Sequence, residues 1–236
     1  MANAERIDSL NLDGSAARVS LFDDPRITAI GLDFEQLAHS EGFRFIAGLD
    51  EVGRGCIAGP VVAAACILDI DKTLPKGLND SKKLTAKQRD EIGEQLKTDC
   101  VAYAIGAVEA PEIDRINILE ATKLAMLRAI ESLLPQADFL LIDALRLKQS
   151  KLPQKAIIKG DSISASIAAA SILAKTYRDE LMTRYDTEYP QYGFAGHKGY
   201  GATSHYEAIR QHGACDLHRK TFKGVCEPQI RAAELF

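Results

Sequence analysis

The sequence predicts an α/β fold, a mixed central sheet flanked by helices, with a helical extension at its C-terminal end. Three observations predict it. Short, β-rich apolar runs end on carboxylates or are bounded by Gly and Pro. Longer stretches carry helical periodicity. The two kinds alternate in the order β-β-α-β-α-β-β-α, and 236 residues with 46% hydrophobic content suit one domain with a substantial core.

Residues 1–32 are acidic, polar and aperiodic, so they are expected to be mostly disordered or loosely docked. The expected organisation is an N-terminal extension over 1–42, partly disordered, and one α/β domain over 43–236 that turns helical from about residue 190. Residues 33–41 suit a short helix. Phe45 to Leu68 reads as strand, turn, strand: an apolar run ends on Asp50 and Glu51, Gly53-Arg54-Gly55 turns, and Gly59-Pro60 opens a second run. Asn79 to Leu84 is a polar loop, and Thr85 caps a helix to about Lys97. Val101 to Val108 alternates as a third strand. Ile113 to Leu134 predicts one helix, with Ile116, Leu119, Leu124, Leu127 and Ile130 at helical spacing and Pro135 beyond its end. Phe139 to Asp143 is a buried strand ending in an acid. Residues 154–160 form a short strand followed at once by Asp161. Ser162 to Tyr185 predicts a long helix whose Ala/Ser-rich first half can lie close against a sheet. The looser region from Pro190 holds four of the five histidines and a helix from Thr203 to Gln211.

There is no run of 18 apolar residues and no signal pattern at the start, so no membrane partner is expected and the expected compartment is the cytosol. The five cysteines form no C-x-x-C pair, which argues for free thiols and against zinc. Net charge is −4, but it is unevenly spread: residues 1–142 carry 15 Lys/Arg against 23 Asp/Glu, and 143–236 carry 14 against 10. A local basic face is enough to bind phosphate whatever the net charge. A solvated loop and helix face explains the same composition.

Three strand ends carry acids: Asp50 with Glu51, Asp143, and Asp161. Adjacent carboxylates repel and resist burial. Hard divalent cations remove that objection, since Mg²⁺ takes oxygen ligands together with water and substrate phosphate. Brought together, the four would suit a two-metal phosphodiester-cleaving site. The alternatives are that Asp161 caps the following helix and that Asp143 is a turn residue.

Gly48-Leu49-Asp50-Glu51-Val52-Gly53-Arg54-Gly55 with Gly59-Pro60-Val61-Val62-Ala63-Ala64 closely resembles the signature of bacterial ribonuclease HII. The resemblance continues through Asp80-Ser81-Lys82-Lys83-Leu84, Ile142-Asp143, Lys159-Gly160-Asp161-Ser162, Ser166 to Lys175 and Arg178-Asp179. It ends in Tyr192-Gly193-Phe194, His197 to Gly201, His205 and His218-Arg219, covering about residues 43–222. Cys56 stands where the family usually has Pro, and Thr221 where Ser is common. The resemblance implies an RNase H-like fold. It implies cleavage of RNA in RNA–DNA hybrids and nicking 5′ of a single ribonucleotide in duplex DNA, to 5′-phosphate and 3′-hydroxyl ends. It further implies that Asp50, Glu51, Asp143 and Asp161 are the catalytic residues and hold two metals, Mg²⁺ or Mn²⁺. Gly53, Arg54 and Gly55 resemble the loop that reads the ribose 2′-hydroxyl, the group that tells RNA from DNA. Tyr200 resembles the tyrosine that packs on the sugar beyond the scissile bond. Ser81, Lys82, Lys83, Lys175, Arg178 and Lys198 are the remaining substrate-binding candidates, the cations toward phosphates.

A plain hairpin turn would explain the glycines but not Arg54. Tyr200 alone reads as an ordinary core or surface tyrosine, each lysine as solvated, and Asp179 is the rival fourth ligand. His197 and His205 read as structural. Two other functional readings stand beside the nuclease: an inert hybrid-binding module, and a ribonuclease HIII-like enzyme, for whose extra domain the leader is short. The chain is expected to act as a monomer. Arg18-Val19-Ser20-Leu21-Phe22 resembles, with Arg18 in place of the usual Gln, the Leu-Phe-ended peptides that bind the bacterial sliding clamp. Packing of Leu21 and Phe22 on the enzyme's own surface is the alternative.

Overall fold

The computed structural model describes residues 27–226. Its centre is a five-stranded sheet in the order β3-β2-β1-β4-β5. The strands are β1 (Ile46–Val52), β2 (Val61–Ile67), β3 (Ala102–Val108), β4 (Phe139–Asp143) and β5 (Gln154–Ile157). The first three form an antiparallel meander, whereas β1, β4 and β5 run parallel. This is the mixed sheet that the element order predicts. Helices α1 (Asp33–Ser40), α2 (Ala86–Asp99), α3 (Ala110–Ile116), α4 (Ile118–Glu131) and α5 (Ala165–Glu188) pack around it. Two short helices, α6 (Phe194–His197) and α7 (Thr203–His212), form the C-terminal extension.

Strand alternation divides the core. From β2, Ala63, Ala65 and Ile67 face Ala121, Ala125, Met126 and Ala129 of α4. Val62, Ala64 and Cys66 point the other way, onto Ile92 and Leu96 of α2 and Ala165, Ala169, Ile172 and Leu173 of α5. Every residue of β2 is buried, as a strand covered on both faces requires. Small side chains let α5 settle directly on β1: a Cβ at Gly48 would lie 2.1 Å from the Ser166 carbonyl carbon. Any larger residue there would push the long helix off the sheet.

Local signals account for the boundaries. Thr85 accepts from the Gln88 N–H and Gln88 answers at the Thr85 N–H, a capping box that starts α2. The single helix expected over 113–134 is two helices. Asn117 sits between them at φ 68°, and its side chain accepts from the N–H groups of Leu119 and Glu120. That backbone lies outside the helical region, so it ends one helix, and the side-chain cap opens the next. The long helix begins at Ala165 with Ser164 as its cap, so Asp161 is not the capping residue. Asp161 lies in a separate 3₁₀ turn, Gly160–Ser162.

The short helix expected over 33–41 is α1, and it packs on the sheet. Phe34 and Ala38 of α1 pack with Ile46, Phe139, Leu141 and Ile167, and Glu35 is buried beneath them. Glu35 Oε1 accepts from the hydroxyls of Ser164 and Ser166 and from the Ser166 N–H. Gly31 bridges to Ser164 in parallel. Residues 27–42 are therefore part of the folded body, because α1 covers an apolar face of the sheet that would otherwise meet water. The clamp-like stretch 18–22 lies outside the described residues. Among the described residues no helix is long and apolar enough to cross a membrane.

Candidate active site

Parallel pairing of β1 with β4 sets Leu49 beside Ile142, so the next residue of each strand, Asp50 and Asp143, emerges at the same sheet edge. Asp143 Oδ1 accepts the Gly160 N–H at 2.8 Å, which draws the turn carrying Asp161 to that edge. Asp50 is buried and accepts the Glu51 N–H at 2.8 Å. The Ser171 hydroxyl of α5 lies near enough to lower the pKa of its carboxyl, and stands 2.8 Å from the hydroxyl of Ser81. The four acids of the three strand ends thus face one region.

Their electrostatics reflect that crowding. Burial, then the charges of Glu51 and Asp143, push the Asp50 carboxyl up to about 8 against the hydrogen bonds from Ser171 and the Glu51 N–H. Asp143 is also raised, first by burial and then by Asp161 and Glu51, against the Gly160 N–H. Two cations relieve the cluster from outside. Lys82 Nζ lies 3.3 Å from Asp161 Oδ2, and Arg54 Nη1 lies 2.9 Å from Glu51 Oε1. The other Glu51 oxygen, Oε2, is buried without a partner.

An all-oxygen donor set, mutual repulsion and one orphaned carboxylate oxygen fit a hard divalent cation. Among the described residues, no three His, Cys, Asp or Glu side chains are arranged as a finished metal cage. Mg²⁺ sites rarely are, since water and substrate phosphate complete them. The rival ligand Asp179 is already engaged, with Lys175 at 2.7 Å and Arg89 at 3.5 Å.

The turn after β1 carries its two glycines for different reasons. Gly53 has φ 89°, and a Cβ there would lie 2.3 Å from Arg178 Nε. A Cβ on Gly55 would meet nothing within 4 Å, so the fold itself does not require glycine at that position. Tyr200 stands beside this turn. The residue is 43% exposed, and its phenol lies near the Cys56 thiol. The Ile57 N–H donates to Gly199 O at 2.9 Å, joining the two loops.

Not every candidate is free to touch a ligand. Arg178 is fully buried and donates to the carbonyls of Pro60, Lys198 and Ala58, so its guanidinium is already engaged. The buried hydroxyl of Ser81 is paired with that of Ser171. Lys175 is held by Asp179, and Lys198 lies 2.7 Å from the Thr183 hydroxyl. Lys82 and Lys83 stay exposed at the rim. His197 is hydrogen-bonded to Tyr192 O, and His205 to Tyr200 O and to His218, so both brace the loop that presents Tyr200. Sequence reasoning missed Ser171 and Arg219. A hydroxyl or a guanidinium within a motif carries no local mark of which way it faces.

Comparison with known proteins gives the family and the fold. A family model described as Ribonuclease HII matches residues 47–225. A ribonuclease HII of Desulfitobacterium hafniense is 54% identical over 205 residues, 87% of this chain and 78% of that protein. One from Chlamydia caviae is 58% identical over 193 residues, covering 81% and 90%. Among solved structures, the RNase HII of Archaeoglobus fulgidus, solved in a complex with PCNA, superposes with a TM-score of 0.66 at 25% identity, over 79% of this chain and 98% of that one.

Proposed function

Because this chain belongs to the ribonuclease HII family, a family that cleaves RNA in RNA–DNA hybrids, we propose that it also nicks duplex DNA 5′ of a single embedded ribonucleotide. The reaction is phosphodiester hydrolysis at Asp50, Glu51, Asp143 and Asp161, leaving 5′-phosphate and 3′-hydroxyl ends. One observation carries the reading: Asp50 and Asp143 leave adjacent parallel strands at one edge, next to a turn whose Gly55 the fold does not itself require.

The family is metal-dependent, and Mg²⁺ or Mn²⁺ held by the four acids would supply water activation and stabilisation of the leaving 3′ oxygen. The chain's own residues do the rest. The Glu51 N–H orients Asp50, and the Gly160 N–H does the same for Asp143. Gly53, Arg54 and Gly55 bring backbone N–H groups up to a 2′-hydroxyl, and the missing Cβ of Gly55 leaves room for the sugar. Tyr200, half exposed beside that turn, offers a flat face to the next sugar. Lys82 and Lys83 at the rim attract backbone phosphates.

Two neighbouring readings are weaker. The match to ribonuclease HII runs over residues 47–225 and includes all four acids, which disfavours an inert binding module. Clamp contact through residues 18–22 stays a separate proposal, supported by the peptide resemblance and by the clamp complex of the archaeal relative. The test is cleavage of an end-labelled duplex with one ribonucleotide, with and without Mg²⁺. A Mg²⁺-dependent nick immediately 5′ of the ribonucleotide is expected. Cleavage of hybrid alone, or a nick on the 3′ side, overturns it.

A further inference from the structure

Arg219 is fully buried, yet among the described residues it forms no ion pair. Its Nη2 donates to Gly53 O at 2.7 Å and to Gly59 O at 2.9 Å, its Nη1 to Arg54 O at 3.0 Å, and its Nε to Gly59 O at 3.1 Å. Its own N–H donates to Ile57 O, so one residue grips the β1–β2 connection from inside. Arg178, equally buried, grips the same connection at Ala58 and Pro60. Burial lowers the Arg219 guanidinium to about 10, and it remains charged at neutral pH. Burying a cation without a counter-ion is costly. Here the carbonyls of a single connection receive its donors.

We propose that Arg219 is a positioning residue for ribose recognition: by binding the Gly53 and Arg54 carbonyls from within, it turns the Arg54 and Gly55 N–H groups outward toward the substrate's 2′-hydroxyl. The geometry follows from the peptide group. In a trans peptide the C=O and the N–H point in opposite directions. Among the described residues the only cis bond is Leu134–Pro135. The Gly53 carbonyl shares its plane with the Arg54 N–H, and the Arg54 carbonyl with the Gly55 N–H. With both carbonyls drawn inward, both N–H groups face away from Arg219, at two exposed residues. Neither N–H has an acceptor among the described residues. The ring of Phe222, centred 5.1 Å from the guanidinium carbon, holds the side chain in place.

The inference rests on the reading of Gly53–Gly55 as the ribose-sensing turn, so the experiment tests both. Steady-state cleavage of a duplex with one ribonucleotide gives KM, and competition by the all-deoxy duplex of the same sequence gives Ki. Arg219→Lys keeps the charge, but a lone ammonium cannot span three carbonyls. Its ratio of Ki to KM is expected to fall tenfold or more, chiefly through KM, with Ki changed less than twofold. A merely structural role would lower the melting temperature and leave the ratio intact, and that result overturns the proposal. Gly55→Ala separates the two layers. If Gly55→Ala keeps the ratio, the turn does not read the 2′-hydroxyl and the underlying reading fails. If Gly55→Ala loses the ratio while Arg219→Lys keeps it, only the role of Arg219 fails. Should Arg219→Lys not fold, Phe222→Leu, which frees the guanidinium without removing its donors, is expected to lower the ratio about threefold. An unchanged ratio in that variant overturns the proposal equally.

Discussion

Arg54 and Glu51 hold each other at the mouth of the site, with Nη1 2.9 Å from Oε1, while Glu51 Oε2 is buried without a partner. The guanidinium therefore occupies one face of a carboxylate that a cation would also use. The Arg54 side chain is 45% exposed, so the pair contributes no more than about 1 kcal/mol. Arg54→Ala is expected to lower the melting temperature by no more than about 2–4 °C and to tighten Mn²⁺ binding by about two- to fivefold in calorimetric titration, as that energy implies. Unchanged or weaker Mn²⁺ binding would remove Glu51 from the ligand set.

Asp50 is buried among like charges, so neutralising it relieves repulsion. Asp50→Asn and Asp143→Asn are each expected to abolish cleavage, with melting temperatures measured in chelator equal to or above the parent's. Asp179→Asn provides the contrast. It should keep cleavage and lose about 1–3 kcal/mol of stability, because Lys175 and Arg89 are left without their shared partner. Near-normal cleavage by either of the first two variants contradicts the metal assignment.

Tyr200 is half exposed beside the Gly53–Gly55 turn, with its phenol near Cys56. Tyr200→Ala should slow cleavage of the single-ribonucleotide substrate tenfold or more, consistent with a stacking contact of about 1–3 kcal/mol. Tyr200→Phe should retain most activity, since the flat face remains. A Tyr200→Ala enzyme that cleaves this duplex as fast as its parent would show that the ring does not touch the sugar.

His205 and His218 form a relay in which their Nε2 atoms lie 3.1 Å apart, with Tyr200 O at one end and the Cys215 N–H at the other. His197 stacks on His205, and the Cys215 thiol lies against His218. Burial pushes both imidazoles down to about 4, below the roughly 6.5 of an unfolded histidine. Between those values the unfolded chain binds more protons than the folded one. Stability from this pair is therefore complete above about pH 6.5 and lost as pH falls toward 4, by up to about 1.4 kcal/mol per pH unit for each ring. Urea unfolding from pH 7 to 4.5 should show that loss, and His218→Asn should flatten it. Identical slopes would assign the acid sensitivity to other groups.

Glu35 fastens α1 to the start of α5 through Ser164 and Ser166. Glu35→Ala is expected to cost about 1–3 kcal/mol, since three donors lose one buried acceptor. Truncation through residue 42 should cost more, because Phe34 and Ala38 leave the core with it. Truncation through residue 26 is the control for the segment that resembles a clamp peptide. Wild-type stability after truncation through residue 42 would show that α1 contributes nothing to the fold.

The sequence by itself determined the strands, most of the helices and the acids at the strand ends. Period, caps and the carboxylate closing an apolar run are local properties, readable within a few residues of Asp50, Asp143 or Thr85. Only the tertiary structure decided which polar groups are free. Arg178 and Lys82 look alike in sequence, yet one is fully buried among carbonyls and the other stands at the rim. Arg219 meets the Gly53 carbonyl across 166 residues, and no local pattern encodes that meeting. The short helix over 33–41 was legible, but not its place: the sheet face it covers is assembled from strands downstream. Burial of a charge depends on the summed field of distant backbone dipoles, and those dipoles converge only once the chain has folded.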